Sequence, residues 1–151
     1  MSVIENNPID KRILDMISRH HVLSLATVED GKPWVASCFY VYLKELNLFV
    51  FTTDPETLHG RQMISNPNVG VNILLETAIP GKIRGLQMSG KVRLLVDEES
   101  GAANRAYLLR FPVAVLMNTT FWGFEPDLIK MTDNRLGFGV KHYWRALAAT
   151  P

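Results

Sequence analysis

Residues 49–63, FVFTTDPETLHGRQM, collect Thr52, Thr53, Thr57, His59 and Arg61 where an apolar run hands over to a helical pattern. Phe49, Val50 and Phe51 read as a buried strand, Pro55 turns the chain, and Thr57 to Ser65 read as a short helix that Asn66-Pro67 closes. Hydroxyls and an imidazole both donate and accept hydrogen bonds, so the junction has the chemistry of a polar binding site. Taken alone, His59 fits a helix-surface histidine better than a ligand, and Thr52 and Thr53 fit ordinary strand positions as well as site positions.

Other reactive side chains are few. Cys38 is the only cysteine, which excludes an intrachain disulfide and a cysteine-rich zinc site. It stands in a strand-like run between Ser37 and Phe39, with nothing nearby in sequence to lower a thiol pKa, so it reads as buried and inert. His20, His21 and His142 lack a partner at a helical ligand spacing and read as helix-end or surface residues rather than metal or haem ligands. The chain has no Gly-x-Gly-x-x-Gly loop, Walker loop, nucleophile elbow or Ser-His-Asp order. Redox chemistry would therefore have to come from a bound cofactor.

The elements that must position these residues follow from periodicity. Asn7-Pro8 can start a helix, and Ile9, Ile13, Met16 and Ile17 recur at helical spacing behind it. HVLSLATV, PWVASCFYVYL and LFVFTT alternate as strands joined by short turns, the first at Asp30-Gly31, which favours an antiparallel meander. Within the second, Trp34, Tyr40 and Tyr42 share one face and Phe39 takes the other. VGVNILLET and IRGLQMSGKVRLLV read as a fourth and a long fifth strand, with Gly85 and Gly90 marking bulges or curvature. Asp97 is expected to cap a second helix through Arg110, packed by Ala103, Ala106, Tyr107 and Leu109 and ended by Phe111-Pro112. DLIKMTD reads as a sixth strand, and LGFGVKHYW is extended.

At 151 residues, 47% hydrophobic and 21% charged, the expectation is one soluble domain over residues 1–151. A formal net charge of +1 gives no broad field for nucleic acid. The acidic, polar start MSVIENNPIDKRILD is unlike a signal peptide, and no apolar run is long enough for a membrane span, so the expected location is cytoplasmic.

The order of these segments resembles the FMN-binding split barrel of the pyridoxamine 5′-phosphate oxidase-like families. LSLATVEDGKPWVASCFYVY is similar to the opening hairpin, and LFVFTTDPETLHGRQMISNPNVGVNI to the third strand, phosphate loop and short helix. IRGLQMSGKVRLL is similar to the long strand that backs the dimer. RFPVAVLM and TDNRLGFGVKHYW resemble the small bacterial YhbP-like subgroup. The resemblance runs from about Asp10 to Trp144, and its specificity lies in the order of the motifs.

The resemblance implies a mainly β fold, a six-stranded antiparallel split barrel with flanking helices, assembled as a homodimer with flavin sites between the subunits. It implies that Thr53, Thr57 and His59 hold the 5′-phosphate of FMN, with Thr52 and Thr53 ending the strand beside the flavin. Threonine hydroxyls, free amides and the dipole at a helix start all favour such an anion. His59 stands where a lysine is common and Leu58 where a basic residue is common, so a permanent charge is missing. Ser37, Cys38, Phe39 and Tyr40 match the stretch that runs along the isoalloxazine, again without its usual basic residue. The implied function is an FMN-dependent oxidoreductase acting on a small substrate. The alternatives are a non-catalytic module for flavin, haem or another planar cofactor, and an interaction domain with an empty cleft. Trp122 and Trp144 read as core or interface aromatics, with Trp144 able to close a pocket from a partner subunit.

Overall fold

The computed structural model describes residues 7–116, 120–138 and 140–147. The motifs RFPVAVLM and TDNRLGFGVKHYW run over Met117 and Gly139, which lie outside the described residues. Helix α1 (Lys11–Arg19) is followed by β1 (Val22–Glu29), β2 (Lys32–Leu43), β3 (Leu48–Thr52), α2 (Leu58–Ser65), β4 (Asn68–Leu75), β5 (Arg84–Leu94), α3 (Asp97–Arg110), β6 (Phe121–Asp133) and β7 (Lys141–Arg145).

All pairings are antiparallel, in the order β3-β2-β1-β4-β5-β6-β7, and β3 also pairs with β6. That extra pairing closes β1 to β6 into a ring, the expected six-stranded barrel. The seventh strand is an addition: Lys141–Arg145 pairs only with the far half of β6, outside the ring. Strand β6 serves three neighbours because it is long. Phe121 to Phe124 pair with β3, Leu128 to Thr132 pair with β7, and β5 runs beside both halves.

Local chemistry sets the turns. Asp30 and Gly31 both have positive φ, 51° and 74°, as a tight hairpin turn between twisted strands requires. The register of β5 against β6 shifts at Ser89/Gly90. A Cβ on Gly90 would stand 2.1 Å from the Glu125 carbonyl oxygen and 2.8 Å from the Phe124 ring, so only glycine lets the two strands approach there.

Strand β3 is buried on both faces, and its alternation feeds two cores. Phe49 and Phe51 join Leu23, Leu25, Tyr40, Leu86 and Phe124 in the barrel interior. Leu48 and Val50 face outward beneath α3, where they meet Ala103 and Tyr107. Tyr40 is fully buried while Phe39 is 55% exposed, as the alternation of β2 predicts. Trp34 shares the parity of Tyr40 but is 49% exposed, because it lies at the hairpin end of the strand.

Three helix details differ from the sequence reading. Helix α1 starts at Lys11 with Asp10 as its cap, accepting from the Arg12 amide at 2.7 Å, and Asn7 instead donates to the Arg145 carbonyl at 2.6 Å, tying the segment before α1 to β7. Asp97 is the first residue of α3 rather than its cap, with φ 52°. Leu109 is 86% exposed, and α3 packs through Ala103 and Tyr107, one turn apart. No helix among the described residues is long and apolar enough to cross a membrane.

Candidate functional site

The end of β3 positions the polar cluster. Thr57 stands at the N-cap of α2, and its Oγ1 accepts from the Gly60 amide at 3.1 Å while donating to the Asp54 carbonyl at 2.7 Å. Gly60 is required here: a Cβ would lie 2.5 Å from the Asp54 carbonyl oxygen and 2.9 Å from the Pro55 backbone. The loop is therefore pressed onto the first turn of the helix. The amides of Leu58 and His59, at the first two helical positions, have no intrahelical acceptor and remain available to an anion.

His59 turns back toward the strand. Its Nε2 lies 2.5 Å from Thr53 Oγ1 and 3.4 Å from Thr57 Oγ1. Because the Thr57 hydroxyl is committed to Asp54, the Thr53 hydroxyl is the natural donor to a neutral imidazole. Partial burial lowers the His59 pKa below its ordinary 6.5, so the ring is neutral at pH 7 in the free protein. Trp122 braces the same junction: its Nε1 donates to the Thr53 carbonyl at 3.0 Å.

One residue before Thr53 in the chain, Thr52 enters a largely apolar cleft of about 420 Å³, lined also by Ser37, Cys38 and Phe39 of β2, Tyr107 of α3, and Phe111, Val113 and Ala114 beyond it. Its aromatic wall combines edge-to-face and tilted contacts. Phe39 and Phe111 stand 5.4 Å apart at 67°, and Tyr107 meets Phe111 at 5.0 Å and Phe121 at 5.6 Å. Burial pushes the Cys38 thiol up to about 11, so it is no nucleophile at neutral pH. Burial likewise raises the Tyr107 phenol, with the Thr52 side chain pulling the other way.

Of the residues singled out from sequence, Ser37, Cys38, Phe39 and Thr52 meet in the cleft, while Thr53, Thr57 and His59 meet at the junction next to it. Tyr40 belongs to neither group. Its side chain faces the barrel interior, its hydroxyl donates to the Ile17 carbonyl at 2.5 Å, and burial raises its pKa. Trp144 packs on the barrel core and donates to the Asn7 carbonyl at 2.9 Å. The sequence reading missed Tyr107, Phe111, Val113 and Ala114 as cleft residues. Tyr107 and Phe111 carried a signal, a helical i, i+4 aromatic pair, but nothing local says which strand they face. Arg110 was also missed. Its guanidinium donates to the carbonyls of Ser18, His20 and Tyr40 and lies 5.3 Å from the Tyr40 ring centre, binding α1 and α3 to β2. That charge is spent on backbone carbonyls.

Residues 9–129 match the family model described as pyridoxamine 5′-phosphate oxidase. The chain belongs to this family. A UPF0306 protein of Photorhabdus laumondii is 39% identical over 145 residues, covering 96% of this chain and 99% of that protein. Among solved structures, a haem-binding protein from Mycobacterium smegmatis superposes with a TM-score of 0.72 at 19% identity, over 87% of this chain and 56% of that one. A FAD-binding protein from Mesorhizobium loti superposes with a TM-score of 0.66 at 16% identity, over 79% and 88% of the two chains. At these identities the structural likeness establishes the shared split-barrel fold.

Proposed function

We propose that this pyridoxamine 5′-phosphate oxidase-family protein binds FMN and uses it as an oxidoreductase on a small substrate. The observation that carries the reading is the adjacency of two chemically unlike sites. Thr52 lines an apolar, aromatic-walled cleft, and the next residue, Thr53, opens a cluster of hydroxyls, an imidazole and free helix amides. An amphiphile with a planar apolar ring and a phosphate matches that pair of surfaces.

The residues fit the group. Thr53 Oγ1, His59 and the amides of Leu58 and His59 would hold the phosphate, exchanging the Thr53–His59 hydrogen bond for bonds to phosphate oxygens, and Thr57 would join them only by turning its hydroxyl from the Asp54 carbonyl. The backbone of Ser37 to Phe39 and the rings of Phe39 and Phe111 would flank the isoalloxazine. When bound, the flavin supplies hydride or single-electron transfer. Neither Cys38 nor Tyr107 is a proton donor suited to neutral pH, so the cleft's own contribution is to bind the ring and exclude water.

A homodimer belongs to the same reading. The outward face of β2 exposes Val35 and Phe39, and Val113 and Val115 continue the apolar surface past the cleft. A second copy would cover that band and wall the flavin from the other side. Light scattering at micromolar concentration should give about twice 17.0 kDa. A monomer there would remove both the dimer and the shared site.

The decisive experiment is a pair of titrations followed by flavin fluorescence. FMN should bind with quenching, and riboflavin, lacking the phosphate, much more weakly. Equal binding would refute the phosphate role of the junction. A second reading, a non-catalytic module for a planar cofactor such as haem, draws support from the similarity to the mycobacterial haem-binding protein and from the raised pKa values of Cys38 and Tyr107, which suit neither to proton transfer at neutral pH. The visible spectrum of freshly purified protein separates the two, since flavin peaks with oxidation of reduced nicotinamide favour the enzyme and a haem band without turnover favours the module.

A further inference from the structure

At the opposite end of β5 and β6 from Thr52, a second cavity of about 220 Å³ opens between α1 and the barrel. Along β5 the two ends are up to about 30 Å apart. The cavity is lined by Arg12, Asp15, Met16 and Arg19 of α1, Arg84 of β5, Met131 and Asp133 of β6, and Arg135 in the turn beyond. The spacing of the α1 residues is i, i+3, i+4, i+7, which places all of them on one helix face. Arg84 and Asp133 are direct cross-strand partners.

The charges in this cavity do not balance. Among the described residues that line it, four guanidiniums face two carboxylates, leaving a formal charge of +2. Asp133 is already committed to Arg135, which donates from Nε at 3.0 Å, from NH2 at 2.8 Å and from its backbone amide at 3.1 Å. Asp15 makes no ion pair among the described residues, and neither do Arg12, Arg19 and Arg84. Arg12 donates instead to His142 Nε2 at 3.1 Å, which neutralises nothing. Most telling is Arg84, whose Nε is buried from solvent with no hydrogen-bond partner among the described residues. Buried donors are almost always satisfied, and an orphan in a polar cavity points to a missing acceptor.

We propose that this cavity binds the phosphoryl group of a small molecule, at a site separate from the flavin cleft. A phosphate monoester carries about −1.5 to −2 at neutral pH and three acceptor oxygens, which matches the uncompensated charge and the surplus of guanidinium donors. Arginine forks suit the tetrahedral oxyanion better than a single ammonium would. Met16 and Met131 give the remaining wall an adaptable apolar surface for the body of the ligand. The inference does not depend on FMN binding.

Inorganic phosphate, titrated calorimetrically in a chloride buffer near neutral pH, is the probe. Wild-type protein should bind it saturably. Arg12→Gln with Arg19→Gln alters only exposed side chains on α1 and should weaken binding at least about tenfold with the thermal transition retained. Arg84→Gln should weaken it similarly, and in a His59→Ala background, where the β3–α2 junction is disabled, a saturable phosphate site should persist and be lost with the α1 double variant. Malonate should bind more weakly than phosphate. The proposal is overturned if phosphate does not saturate, if the double α1 variant binds as wild type, or if His59→Ala alone abolishes binding, which would move the anion to the β3–α2 junction. Tighter binding of malonate would overturn the phosphoryl assignment.

Discussion

Replacing His59 by lysine and by alanine should move FMN affinity in opposite directions, and only within defined pH ranges. In the free protein burial holds the imidazole below its ordinary 6.5, so it is neutral at physiological pH. A bound phosphate favours the charged ring and raises the pKa in the complex. Binding therefore takes up protons between these two values. The affinity gained from the charge is fully present below the free-protein pKa and fades as pH rises through the pKa of the complex. A charge-assisted hydrogen bond contributes about 1.5–3 kcal/mol, and the lower end suits a partly exposed ring, so the alkaline limb should span roughly tenfold in affinity. Phosphate's second ionisation near pH ~6 opposes this on the acid side, giving a bell. Quenching titrations of FMN from about pH 5.5 to 9 measure the curve directly. His59→Lys should flatten the alkaline limb and tighten binding at pH 8. His59→Ala should remove the limb and weaken binding below it. In the free protein the folded pKa is depressed, so the stability from burying neutral His59 is present above 6.5 and lost as pH falls through the folded value. An alkaline limb that survives in both variants would refute a phosphate-binding His59.

Gly60→Ala forces a Cβ against the Asp54 and Pro55 backbone and should lower the thermal midpoint, at a cost of about 1–3 kcal/mol, while loosening the phosphate loop and weakening FMN binding. Cys38, with its thiol pushed up to about 11, should react with a disulfide reagent at pH 8 only as fast as the protein opens, so native protein should lag far behind urea-unfolded protein. Arg110→Met strands the carbonyls of Ser18, His20 and Tyr40 and should destabilise the fold by about 1–3 kcal/mol in urea titrations, with no direct effect on phosphate binding at either site.

Much of the local structure is written in the sequence because short-range chemistry decides it. The Asp30-Gly31 hairpin, the period-two alternation of β2 that buries Tyr40 and exposes Phe39, the Thr57 cap and the Pro67 exit each depend on a few adjacent residues. The barrel itself was legible through the order of its strands and their family resemblance. Tertiary contact decided the rest. Closure of the ring by β3 against β6 joins residues about seventy positions apart, and no local pattern encodes such a pairing. Leu109 and Tyr107 are both apolar enough to pack, and only the placement of α3 over Leu48 and Val50 turns Tyr107 inward and leaves Leu109 in solvent. The cleft needed the same event, since Phe39 finds Phe111 only after α3 has crossed the sheet. The arginines of α1 look in sequence like an ordinary solvated helix face. They become a charged cavity because folding sets Arg84 and Arg135 against them, and charge repulsion and an unmade hydrogen bond exist only between groups that the fold has brought together.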